Sequence, residues 1–275
     1  MLSPEHSTLL TLGCYGASSV AGIAGMLLRN ATARRCGAWL AVAGFACQTL
    51  LLALGFHKAL PGGLSYGAYL QLLAWFVILC GIACRIRFRQ ESPLLFAAPL
   101  GLLLFASSAL YLGSQVVIPP VLKGPFYALH IGALFLGLGL ITLGFGAGAV
   151  FLLLEGRIKT KRRMEGFLQD MPALALLDRI NAFTMLASFP LYTLGIAAGL
   201  LWAKPVFGSA FSGDPKEVVS LLVWAALAYV FHGRLSLGWR GRRPARMAVL
   251  IFCLCLFSIL VVNTLMETHH AFIRQ

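Results

Sequence analysis

Acidic side chains are scarce in this chain: Asp and Glu together number nine among 275 residues, and charged residues of all kinds make up only 11%. So little charge argues against a water-soluble domain of this length. Polar sequence is short as well, with the longest interval at roughly 155–181, which leaves no room for a separate soluble domain. The chain has no CxxC pair, Walker loop, dinucleotide-binding glycine fingerprint or recognisable Ser/His/Asp set. These gaps speak against thiol exchange, nucleotide-dependent chemistry and hydrolysis. No basic residue precedes the first apolar segment, only MLSPEHS, so a retained first helix is expected rather than a cleaved signal peptide.

What is present is apolar sequence. Hydrophobic residues make up 59% of the chain, and the mean hydropathy is +0.85. Stretches of about 20 residues, the length that crosses the hydrocarbon core as a helix, occur at roughly 7–28, 36–56, 66–85, 93–113, 125–154, 182–203, 218–237 and 247–266. They are long, nearly free of charge and lack the alternating polarity of barrel strands. The expectation is an all-α, polytopic integral membrane bundle of about eight transmembrane helices forming one domain over residues 1–275.

The net charge of +13 is distributed by loop. Seventeen of the 22 Lys and Arg residues fall in the first, third, fifth and seventh loops, led by Arg157, Lys159, Lys161, Arg162, Arg163 and Arg179 in the fifth. By the positive-inside rule both termini lie outside the cytoplasm, in a multi-pass protein of the cell's inner (cytoplasmic) membrane. The basic surface then faces anionic lipid headgroups, and no nucleic-acid partner is implied. Between the fifth and sixth spans, Phe167, Leu168, Met171, Leu174, Leu177 and Ile180 recur at helical spacing. That pattern predicts an amphipathic helix along the cytoplasmic membrane surface, interrupted at Pro172.

Cysteines number seven, most of them inside spans, with Cys80 and Cys84 one helical turn apart. Thiols embedded among apolar residues pack as small hydrophobes. In the fifth span Gly132, Gly137, Gly139, Gly144, Gly146 and Gly148 recur, and the first reading is close backbone approach to a neighbouring helix, the other a groove for a flat ligand.

Chemistry is concentrated in histidine. His57, His130, His269 and His270 fall toward one edge of the spans, and His130 lies about one and a half turns inside the fifth. Neutral imidazole is a common axial ligand of haem iron, so His130 and His270 are candidate ligands from opposite sides of one porphyrin, with His269 and His57 as further candidates. Interface anchoring explains them equally well, and spacing does not choose. His232, in WAALAYVFHGR near the cytoplasmic end of the seventh span, is too far from His130 to share a ligand and marks a separate inner site or a headgroup-level residue beside Arg234. The outer loop FGSAFSGDPKE places Asp214 to cap the seventh helix, Pro215 at its first position and Glu217 as a reach-back carboxylate.

The segments LLDRINAFTMLASFPLYTLGIAAGLLWA, GDPKEVVSLLVWAALAYVFHGRLSLGWRGRRPA and VVNTLMETHHAF resemble the cytochrome c assembly family, which includes the CcsA and CcmC haem-handling proteins and the shorter HemX-type relatives. The resemblance runs from about 125 to 272 and divides the chain into a variable set of four helices over 1–124 and an assembly-like core over 125–272. It implies that haem, non-covalent and b-type, is held at the outer surface by His130 and His270 over a tryptophan-rich loop, and that His232 receives haem from the inner side. In this chain Phe207, Phe211 and Gly213 stand where the family has tryptophans, while Asp214, Pro215, Lys216 and Glu217 are retained.

The function this implies is presentation of haem for attachment to apocytochrome c, as a component of a haem lyase working with a partner membrane assembly protein. The alternative is a HemX-like regulator or scaffold that acts on a haem-biosynthesis enzyme through the 156–181 segment.

Overall fold

The computed structural model describes residues 4–59, 65–111, 124–161, 163, 165–207, 209 and 211–262. Among these there are eight long helices and no strand. They are α1 (Pro4–Leu27), α2 (Ala31–Ala59), α3 (Tyr66–Phe88), α4 (Ser92–Ser108), α5 (Pro125–Lys159), α6 (Leu174–Phe207), α7 (Pro215–Leu235) and α8 (Arg242–Phe257). Each is long and apolar enough to cross a membrane, α4 and α8 together with the helical turns that continue them to Tyr111 and Val262, so the chain is an all-α multi-pass membrane protein. Cα packing separates it into two compact units, Met1–Gln115 with Leu153–Leu176, and Val116–Leu152 with Leu177–Gln275.

In the first unit, small residues let α1 and α2 approach closely. A Cβ on Gly37 would lie 3.0 Å from the Ser18 carbonyl oxygen, and Ser18 Oγ donates to the Gly37 carbonyl at 2.7 Å. A buried polar chain crosses the unit: Tyr15 Oη donates to Gln48 Oε1 at 2.6 Å, and Gln48 Nε2 donates to the Gln71 carbonyl at 2.8 Å. Gln71 Nε2 then reaches Ser108 Oγ at 3.2 Å. Among apolar helices each such group needs a partner, and the chain joins α1, α2, α3 and α4 through theirs. Cys80 and Cys84 are buried among apolar neighbours, as small hydrophobes.

The expected amphipathic surface helix after α5 is not formed. Instead α5 ends at Lys159, a short 3-10 turn spans Gly166–Asp170, and α6 begins at Leu174, well before the span expected from 182. Two residues account for this. Gly166 has φ +59, and Met171, preceding Pro172, is extended at ψ 148, the conformation that a following proline favours. Leu177 and Ile180, read as the apolar face of that surface helix, are buried residues of α6.

In the second unit α5 and α6 run antiparallel, as paired contacts show: Gly137 faces Ser188 and Tyr192, Gly144 faces Thr184 and Met185, and Gly148 faces Asn181 and Ala245. A Cβ on Gly144 would lie 2.7 Å from Met185 Sδ. At Gly144 and Gly148 the glycines serve close helix approach, whereas a Cβ on Gly137 would make ordinary contact at 3.7 Å and Gly132 has open space beside it. The core gathers Ile141 from α5, Met185 and Tyr192 from α6, Val223, Leu227 and Val230 from α7, and Ala248, Ile251 and Cys255 from α8.

Candidate functional site

His130 enters the second unit near the start of α5, one and a half turns from Pro125, as its place in the apolar run predicts. Its Nδ1 lies 2.7 Å from the Gly195 carbonyl oxygen of α6. A carbonyl can only accept, so Nδ1 carries the proton, and in the neutral ring the Nε2 lone pair is the one that can ligate. One turn further along α6, an added Cβ on Gly199 would fall 2.7 Å from Nδ1 and 2.8 Å from Cε1. Gly199 therefore clears the space in which the ring lies, while Gly195 supplies the carbonyl and leaves room for Leu134. Neither has a distinctive sequence signal, because a backbone carbonyl and a missing Cβ look alike at every glycine.

The loop before α7 comes to the same region. Asp214 is buried, and its Oδ1 accepts the Lys216 backbone N–H at 2.7 Å, with Pro215 at the first helical position, as the sequence predicts. Glu217 Oε2 accepts the Ser212 N–H at 2.9 Å, so its reach-back ties the loop two residues ahead of the cap. Phe211 is 51% exposed, and Gly213 adopts φ +76, a left-handed conformation that favours glycine. The glycine at 213 thus suits a backbone that turns there.

His270 and His269 lie outside the described residues, as do the side chains of His57 and Phe207. Among the described residues no group of three His, Cys, Asp or Glu forms a metal-ion site.

His232 lies at the opposite end of the unit, in the last turn of α7, and is exposed. Beside it is a buried cluster that loop-by-loop counting of charge conceals. The Arg234 side chain is 5% exposed, with Nη2 2.9 Å from Asp178 Oδ1 and 2.7 Å from Asn181 Oδ1. Its Nη1 donates to the Trp239 carbonyl at 3.1 Å. Asp178 also accepts the Gly241 N–H at 2.9 Å, and Asn181 Nδ2 donates to the Gly144 carbonyl at 2.9 Å. One guanidinium thereby joins α6, α7, the turn into α8 and, through Asn181, α5. Gly233 leaves no space for a Cβ against the Trp239 ring, which meets Tyr229 edge-on at 4.9 Å. Asn181 and Gly195, the α6 partners at the two ends, are fourteen residues apart, or about 21 Å of helix at 1.5 Å per residue. His130 and His232 accordingly lie near opposite ends of the unit, too far apart to share a ligand.

A sequence model described as Cytochrome C assembly protein matches residues 63–270. That match takes in α3 and α4, which the sequence segments matched only in layout. Among similar proteins, the Cytochrome c biogenesis protein CcsA of Chlamydomonas reinhardtii is 32% identical over 180 residues, 64% of this chain and 49% of the relative. The protein of the same description from Guillardia theta is 25% identical over 248 residues, 82% of each chain. That from Pyropia yezoensis is 29% identical over 204 residues, 61% of this chain and 64% of its own. The aligned part thus spans from about half to four fifths of these three relatives.

Proposed function

The chain belongs to the cytochrome c assembly protein family, and from that premise we propose that it handles haem in cytochrome c biogenesis, presenting it at the outer membrane face for attachment to apocytochrome c. The observation that carries this reading is the His130 ring, fixed by the Gly195 carbonyl with Nε2 as its ligating nitrogen. Ligating histidines characteristically donate their other ring N–H in this way. Haem is the substrate here, and it supplies an iron that accepts axial imidazole together with two propionates.

The residues present fit that group. His130 is the ligand, with His270 as the opposite ligand and His269 as its neighbour. Lys216 supplies a cation in the first turn of α7, suited to a carboxylate-bearing substrate, and Asp214 caps that turn. Phe207 and Phe211 offer aromatic surface where the family has indoles. His232, in the last turn of α7, is the inner receiving residue. The thioether-forming partner is an apocytochrome, and a second membrane protein supplies what the loop lacks in having Phe207, Phe211 and Gly213 in place of tryptophan.

The test is the absorption spectrum of the full chain purified from haem-sufficient cells. A b-type Soret band that His130→Ala and His270→Ala each diminish, and that added imidazole restores, supports the reading. A band unchanged by both substitutions, or no band in any preparation, overturns it. The scaffold alternative has no comparable observation behind it. The 166–170 turn it was to use is tied to α1 and α2 by Asp170, which accepts from Arg29 and Arg34.

A further inference from the structure

The first unit carries a cleft, with a volume of about 230 Å³, between the α1–α2 turn, the α3–α4 turn and the 166–170 segment. One side is cationic, lined by Arg34, Arg35 and Arg89, and Gln90 and Ser92 add polar groups beside them. Two carboxylates also line it, and both are engaged. Asp170 is 3.2 Å from Arg29 and 3.2 Å from Arg34 through its two oxygens, and Glu91 is 3.8 Å from Arg35. Three arginines thus pair with two carboxylates, and the fourth, Arg89, has no ion pair among the described residues. Arg35 is 74% exposed and only loosely held by Glu91, so its guanidinium is available as well.

The other side is apolar, with Met26, Leu95 and Met171. The cleft lies at the ends of four spans, since α1 stops at Leu27, α2 starts at Ala31, α3 stops at Phe88 and α4 starts at Ser92. That is the headgroup level of a bilayer. Both turns are closed by an arginine in the left-handed region, Arg29 at φ 55 and Arg89 at φ 52. Glycine is the usual residue at such helix-ending positions, and a side chain with a Cβ is uncommon there. Of the two, Arg29 pairs with Asp170 and Arg89 lines the cleft.

We propose that this cleft binds the phosphate of an anionic glycerophospholipid headgroup, with Arg35 and Arg89 as the principal ligands and the Met26–Leu95 wall against the root of the acyl chains. Guanidinium groups match phosphate oxygens in geometry and charge. A free phosphate would use the same cations, but it has no use for the apolar wall or the headgroup level.

The test uses the full chain in non-ionic detergent, with retained lipid counted by native mass spectrometry during titration with phosphatidylglycerol or phosphatidylcholine. The expected result is preferential retention of phosphatidylglycerol, reduced at least about tenfold in R35Q/R89Q, since each loses a charge-assisted contact. R240Q/R246Q, which removes the same charge elsewhere, is expected to leave it unchanged. Equal retention of the two lipids by the unsubstituted protein overturns the proposal without recourse to any variant, as does undiminished phosphatidylglycerol binding in R35Q/R89Q. A loss of equal size in R240Q/R246Q likewise overturns it in favour of general charge. Competition by millimolar inorganic phosphate as effective as that by the lipid would show that the anion is a soluble one, and the lipid assignment would fall.

Discussion

Gly199 of α6 brings its backbone so near His130 of α5 that an added Cβ would lie 2.7 Å from Nδ1, the atom bonded to the Gly195 carbonyl. The ring is therefore oriented from two sides by α6 backbone, and its orientation is open to change without touching the ligand. Gly199→Ala is expected to displace Nδ1 from Gly195 and weaken haem retention by about 10–100-fold, the usual effect of losing the partner that orients a ligating histidine. Haem titration of the purified variant, with a thermal melt to show that it folds, checks this. Retention equal to that of the unsubstituted protein would mean that the ring orientation does not matter.

Arg234 and Asp178 form the other fixed relationship in the second unit. Removing one member strands a charge, so Arg234→Ala is expected to destabilise by about 3–5 kcal/mol, and Asp178→Asn by less because its oxygen still accepts the Gly241 N–H. Replacing both partners with apolar residues of similar volume is expected to recover much of the loss. Thermal unfolding in detergent gives the order. A double variant no better than Arg234→Ala would show that the contacts to Asn181 and Trp239 outweigh the ion pair.

The loop before α7 separates two substitutions that look alike on paper. Phe211 is exposed in an irregular stretch, and Phe211→Trp is expected to fold normally and raise haem retention by adding aromatic surface. Gly213 has φ +76, and Gly213→Trp is expected to cost about 1–2 kcal/mol of backbone strain and to disturb the Asp214 cap. Melting temperatures and Soret absorbance of the two variants, side by side, test the distinction. If Gly213→Trp proved the more stable, the left-handed turn would not be what selects glycine there.

The spans were legible because membrane crossing demands some twenty apolar residues, and nothing else in a sequence looks like that. His130 was legible for the converse reason, as a polar residue in such a run. The start of α6 was misread because Asp178 and Arg179 look like loop charges, and the partner that lets Asp178 stay in a helix, Arg234, lies in another span. Gly195 and Gly199 could not be picked out, since what they contribute is a carbonyl and an empty space.

Asp170 sets a pH limit on the 166–170 turn. Hydrogen bonds and charge from Arg29, and then from Arg34, hold its carboxyl below the ordinary aspartate value of 3.8. A carboxyl whose folded value is depressed contributes stability above its unfolded value and loses it as pH falls through the folded one. The turn is therefore expected to stay docked at pH 4 and to release only below the ordinary carboxylate range. Asp170→Asn, which keeps the shape but not the charge, is expected to release it already at pH 4. Pepsin, active across this window, reads the difference as cleavage within 166–170: slow at pH 4 in the unsubstituted protein, faster at lower pH, and fast throughout in Asp170→Asn. Equal cleavage of the two proteins at pH 4 would show that the arginines do not hold the segment through this carboxylate.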